Sequence, residues 1–171
     1  LRLASLPMAL VGHIFVPFGM VPGAPPEADP DELDAVIALM FRQLERKLRA
    51  FIDRSMKAIV GERWIRQRVH RNIREEWERR RQADVDASRT PGELFDYADF
   101  GDYRGIIEQG ENWRDVFQPI FKVKTAIGET LSRLSVIRNP VAHVRPLTVE
   151  DLLTLRVEGR RLYVWIGEVV P

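Results

Sequence analysis

Apolar residues spaced by three and four, cap-forming residues ahead of those runs, and glycine or proline between them predict an all-α protein. The expected architecture is an antiparallel bundle of about five helices. A length of 171 residues suits one domain able to bury about two-thirds of its unfolded surface. Net charge is +1 and there is no cysteine, which removes a disulfide framework and any thiolate metal site. The lack of cysteine fits a reducing compartment, and a cytoplasmic location is the expectation.

Residues 1–30 form an apolar N-terminal segment and a proline-rich linker, and residues 31–171 the helical domain. The first 21 residues carry Arg2 as their sole charge and His13 in the middle. That length reaches the range of a membrane span, but Pro7, Gly12, Pro17 and Gly19 interrupt any helix there. Membrane contact is therefore the weaker reading, and packing on the domain or on a neighbour the stronger. The segment VPGAPPEADP, Val21 to Pro30, is a linker by composition.

From Asp31, the residues Leu33, Ile37, Met40, Phe41, Leu44, Leu48, Phe51, Ile52, Met56 and Ile59 recur at helical spacing, and Gly61 closes the run. A second helix over about residues 63–84 carries Ile65, Val69, Ile73 and Trp77 at spacing four. Its other faces are very basic, and Arg66, Arg71 and Arg74 have two readings: a solvated face, which is favoured, or contact with an RNA backbone. Glu75 with Arg79 and Glu76 with Arg80 are helix-supporting pairs. His70 lacks companions at ligand spacing and reads as a surface or interfacial histidine. The charge is uneven. Residues 42–81 hold 14 Lys/Arg against 6 Asp/Glu, and residues 84–120 hold 3 against 9. Complementary packing, within the chain or across a dimer, is favoured over a polyanion-binding face.

Residues 84–92 are a loop. Asp99 caps a helix over Phe100–Gln109 that Gly110 closes, and Asn112 caps a helix over Trp113–Phe121 with Asp115 three residues on. The motif Asp99-Phe100-Gly101 has no companion elements that would make it part of a kinase. The dense aromatics from Phe95 to Phe121 read as core rather than as base-stacking platforms. Ile127, Leu131, Leu134 and Ile137 then give a helix, and Thr148-x-x-Asp151 opens the last one. Its residues Leu152, Leu155, Gly159, Leu162, Ile166 and Val169 form a seam for helix packing, one that a two-fold dimer could use.

The chemistry concentrates at Arg138-Asn139-Pro140-Val141-Ala142-His143. With 22 Arg, 3 Asn and 3 His in the chain, Arg-Asn-x3-His is expected roughly 0.01 times by chance, which makes it worth testing. Proline disfavours helix in the residue before it, so the incoming helix should kink or stop near Asn139, with Pro140 opening the next turn. Such a break would let Arg138 and His143 converge, whereas an unbroken helix would set them about 140° apart. The plainer reading is a capped kink with Arg138 at a helix C-terminus. No phosphate-cradling glycine loop, no Ser/His/Asp set and no metal-ligand cluster stands in the sequence, so no cofactor or metal is expected. RNA cleavage can proceed with Arg and His alone, because the 2′-hydroxyl supplies the nucleophile.

Arg138-Asn139-x-x-x-His143 resembles the signature arginine, polar residue and histidine of the HEPN superfamily. Glu45–Trp64, Leu94–Ile107, Asn112–Phe121 and His143–Leu147 are similar to the branch found in prokaryotic defence proteins, and the resemblance spans roughly residues 33–157. It implies a metal-independent endoribonuclease, a toxin or defence effector, with a composite site at a homodimer interface. Arg138, Asn139 and His143 would be catalytic, and Arg145 an extra phosphate contact. RNA is the implied partner, with an antitoxin or a fused domain of a larger protein as further ones. The alternative is a non-catalytic HEPN module that binds RNA or nucleotides, or mediates assembly within a larger protein.

Overall fold

The computed structural model describes the backbone of residues 30–143 and 147–168 and the side chains of residues 33–138 and 147–168. Among the described residues the fold is all-α, with seven helices and no strand. The N-terminal segment 1–21 lies outside them, and so does most of the linker. No described helix is long and apolar enough to cross a membrane.

Helix α1 spans Pro30–Val60 and buries the expected stripe from Leu33 to Met56, although Ile59 is exposed. Gly61 ends it with φ +96, a backbone region open to glycine and strained for other residues. The helix expected over 63–84 divides into α2 (Trp64–Arg68) and α3 (Arg71–Asp86). Val69 is extended (φ −101, ψ 135) and buried, and this break turns Trp64 and Trp77 into one core. Each indole N–H keeps a partner there, Asp53 Oδ1 at 3.0 Å for Trp64 and Asp102 Oδ2 at 2.8 Å for Trp77. His70 is the N-cap of α3, its Nδ1 accepting the Asn72 N–H at 3.4 Å.

A 3-10 turn, Leu94–Tyr97, leads into α4 (Phe100–Glu108). Gly110 does not close that helix; it opens α5, a run of Gly110–Asn112, a π-helical turn Trp113–Phe117 and Gln118–Phe121. Gln109 is the cap here, its Oε1 taking the Asn112 N–H at 2.8 Å. Asn112 is buried instead, donating through Nδ2 to the Ile106 carbonyl at 2.9 Å. A buried amide can satisfy a loose helix end from inside as well as cap one from outside. Asp115 faces Arg68, 3.1 Å away, rather than its own helix start.

Helix α6 (Lys124–His143) and helix α7 (Val149–Ile166) complete the bundle. Thr148 caps α7 as expected, exchanging hydrogen bonds with Asp151. The seam of α7 is not spare surface, however. Leu152, Leu155, Gly159, Leu162 and Ile166 are buried within this one chain, against α1 and α6. Glu158 is also buried, accepting from Thr130 at 2.8 Å, Arg133 at 2.6 Å and Arg161 at 2.8 Å. Burial alone would push its carboxyl up, but these partners outweigh that and hold it below the usual range.

The aromatics pack as core. Phe41 meets Phe100 with ring centroids 5.0 Å apart, Phe95 meets Trp64 at 5.0 Å, and Phe51 meets Phe121 at 5.8 Å. The basic and acidic halves also meet inside the chain, through Arg68 with Asp115 and Glu111, Arg80 with Asp99, and Arg49 with Asp96.

Candidate functional site at the end of helix α6

Helix α6 forms because Ile127, Leu131, Leu134 and Ile137 follow one another at helical spacing, and all four are buried. Arg138 comes one residue after the last of them, about 100° round the helix, at the rim of the core. Its side chain is 32% exposed, and its Nη2 lies 3.2 Å from Asp99 Oδ1. Asp99 is the N-cap of α4, and Asp102 reciprocates by accepting the Asp99 N–H at 2.8 Å. That same Asp102 oxygen receives the Trp77 indole, so the cap is locked to the core.

The other oxygen of Asp99 is held by Arg80 of α3, at 2.8 Å. Arg80 is itself fixed at two further points, the Tyr97 carbonyl at 3.0 Å and Glu76 Oε1 at 2.9 Å. Hydrogen bonds from Arg79 and Arg80 hold the Glu76 carboxyl down to about 2. Three helices thus meet at one carboxylate, and Arg79, Arg80 and Arg138 stand there against the carboxylates of Asp99, Asp102 and Glu76.

Helix α6 does not stop at Asn139. It runs through Pro140 to His143, so Asn139 is not an N-cap and Pro140 does not open a new helix. Pro140 deprives the Val136 carbonyl of its intrahelical donor. Val136 is 66% exposed, one turn below position 140, so the orphaned carbonyl lies on the solvent side where water can meet it. The unbroken helix puts position 143 about 140° from position 138, in register with Val136 on the outer face. The side chains of Asn139 and His143 lie outside the described residues, and Arg145 falls in the undescribed stretch 144–146.

The three α2–α3 arginines do not come to this centre. Arg66 is exposed, Arg71 is exposed and pairs with Glu75 at 2.6 Å, and Arg74 is half-buried with its Nε buried and unpartnered. Arg71 lies about 13 Å along α3 from Arg80, the arginine that does reach the motif. Sequence reasoning missed Asp99 and Arg80 as site residues. Asp99 was legible as a cap and Arg80 as a helix-pair partner, but no spacing links either to Arg138 across the fold. Among the described residues no cluster of His, Asp and Glu could hold a metal ion.

A family model described as Swt1-like HEPN matches residues 39–167. A search of curated proteins and a search of solved structures each gave no match.

Proposed function

The chain belongs to the Swt1-like HEPN family, and from that premise we propose that it is a metal-independent endoribonuclease domain whose site is completed by a second copy. An RNase-like, RNA-directed role is the coarse function that membership carries. The single observation that carries the finer reading is the setting of Arg138. Its hydrogen bond to Asp99 uses Nη2 alone, and the partly exposed side chain leaves guanidinium edge for a phosphate.

In this reading the 2′-hydroxyl of the substrate attacks the adjacent phosphorus as a base removes its proton. The bond from phosphorus to the 5′-oxygen breaks, and that oxygen leaves with a proton from an acid. His143 serves as acid or base, because an imidazole titrates near neutrality. Arg138 balances the charge that builds on the phosphate oxygens, and Arg145 adds a phosphate contact. Asn139, one turn before His143 on the same helix face, orients the histidine or the substrate. Asp99, anchored by Arg80, holds Arg138 in place.

The composite site rests on helix register. Positions 138 and 143 do not share a face of α6, so a second chain bringing its own outward position 143 to Arg138 supplies what one chain separates. The α7 seam is committed to the monomer core, so the dimer contact lies around the motif itself. A toxin or defence role follows the resemblance to prokaryotic defence proteins, with an antitoxin or a fused domain as the controlling partner.

The test is cleavage of single-stranded RNA in EDTA by protein that sediments at twice the chain mass. Products should end in 2′,3′-cyclic phosphate, and DNA should resist. His143→Ala should lower turnover about 100-fold or more, with wild-type helicity. Cleavage that survives both His143→Ala and Arg138→Ala would overturn the reading. Binding of RNA without any cleavage would establish the non-catalytic module instead.

A further inference from the structure

The first half of α1 lies beside the motif, and two contacts fix it there. Asp34 Oδ1 accepts the Leu147 N–H at 3.0 Å, just after the motif. Phe41 packs its ring 5.0 Å from that of Phe100, the residue next to Asp99. On the solvent side of α1, about 100° round the helix from Phe41, a hollow of about 380 Å3 is lined by Leu39, Arg42, Glu45, Arg46 and Arg49.

The charge in that hollow is one-sided. Glu45 is its single carboxylate, and it is already engaged by Arg49 at 3.5 Å and by the Tyr103 hydroxyl at 3.4 Å. Arg49 is pinned as well, donating from Nε to the Tyr103 oxygen at 2.7 Å and pairing with Asp96 at 3.8 Å, so its charge is spent. Burial pushes the Tyr103 hydroxyl up, so it stays protonated and neutral beneath them. Arg42 and Arg46 are exposed, and among the described residues neither has a hydrogen bond or an ion pair. The three arginines stand at i, i+4 and i+7, within about 60° of one another and over about 10 Å of helix.

We propose that this α1 face, Arg42 and Arg46 over a floor of Arg49, binds the phosphate backbone of single-stranded RNA as it runs away from the Arg138 motif. The inference rests on the nuclease reading and extends its substrate path. An endonuclease must hold chain on both sides of the cut, and this exposed face, on the helix that meets Leu147 and Phe100, carries unspent charge. No aromatic side chain lines the hollow, so the contact is electrostatic and indifferent to base identity. Arg66, Arg71 and Arg74 then have no part in it, lying on other helices.

The experiment measures binding of fluorescent oligodeoxyuridine and oligodeoxyadenosine to the full chain across a salt series. Deoxy strands lack the nucleophile, so binding is read without cleavage. Arg42→Gln/Arg46→Gln should weaken both oligonucleotides equally. It should also make the slope of log affinity against log salt shallower by about 1.4, for two lost phosphate contacts on a single strand. Arg71→Gln should leave the slope unchanged. Both replaced residues are exposed and, among the described residues, unpaired, so the urea midpoint should not move; charge reversal at Arg46 alone, Arg46→Glu, gives a second variant. An unchanged slope in both variants would overturn the proposal and point the face towards an acidic protein. A loss confined to one base would overturn it too. A wild-type chain that cuts RNA yet shows no variant effect removes this inference alone, whereas one that neither binds nor cuts removes the nuclease reading with it.

Discussion

Replacing Asp99 by alanine separates a positioning role from a structural one, because the two costs differ in size. Losing a good N-cap costs about 0.5–2 kcal/mol. The ion pairs to Arg80 and Arg138 are partly exposed, at 32% and 46% of side-chain surface, so each adds at most about 1 kcal/mol. The sum, roughly 0.5–4 kcal/mol, lowers Tm by about 1–16 °C for a chain of this size and leaves it folded at 25 °C. Turnover should suffer more. Without Asp99 Oδ1 the Arg138 guanidinium loses the contact that aims it, and a misplacement of about 1 Å costs on the order of 100-fold in rate. Asp99→Asn keeps the cap and the acceptor oxygen but loses the charge, and should fall between. The decisive assay is a double-mutant cycle on kcat and KM for RNA cleavage. Asp99→Ala should cost almost nothing when Arg138 is already alanine, since it acts through that side chain. Multiplying effects of the two substitutions would refute the positioning argument. So would a rate loss no larger than the fraction unfolded.

Other outcomes follow from the fold. Glu158→Gln should destabilise the chain by about 2 kcal/mol in urea at pH 7, since a buried carboxylate accepts from Thr130, Arg133 and Arg161, and the exposed parts of the two arginines soften the loss. Its folded pKa is depressed, so its contribution is complete above the ordinary glutamate value of 4.5 and is lost as pH falls through the lower folded value. The gap between wild type and variant should therefore shrink at pH 3, and an equal gap at pH 3 and pH 7 would contradict this. We propose the linker as a true boundary: removing residues 1–28 should leave a single cooperative unfolding transition with an unchanged m value, and loss of cooperativity would make the segment part of the core.

What the sequence made legible was local. Leu33 to Met56, Ile127 to Ile137 and Leu152 to Ile166 announce their helices by spacing, and Gly61, Asp99 and Thr148 announce ends, because each signal acts within one or two turns. The motif was legible too, as a composition too rare for chance. What escaped was tertiary. Nothing near Arg138 names Asp99, 39 residues earlier, and nothing in Arg80 distinguishes it from its neighbours Arg79 and Arg81. Pro140 argued for a break, since local sterics cannot register that Val136 faces solvent and that water can satisfy its carbonyl. Asn112 and Gln109 exchanged roles because a buried amide and a cap look alike in sequence. The α7 seam looked free for a partner because a stripe of leucines does not say whose core it belongs to.

The pairing of α1 with α7 has a consequence for how the chain is made. Leu44 sits under Gly159, and Lys47 reaches Glu168 at 2.8 Å, so the first described helix finds its main cover in the last. Between the end of α1 and the end of α7 lie roughly 100 residues, which a ribosome adds in about 5–20 s. Throughout that interval Leu44, Leu48 and their neighbours lack the α7 cover, and α1 has only its contacts with the helices between. The nascent chain therefore carries a partly covered apolar rod, and overproduction should load chaperones. Faster elongation, or a circular permutant that synthesises α7 next to α1, should raise the soluble yield.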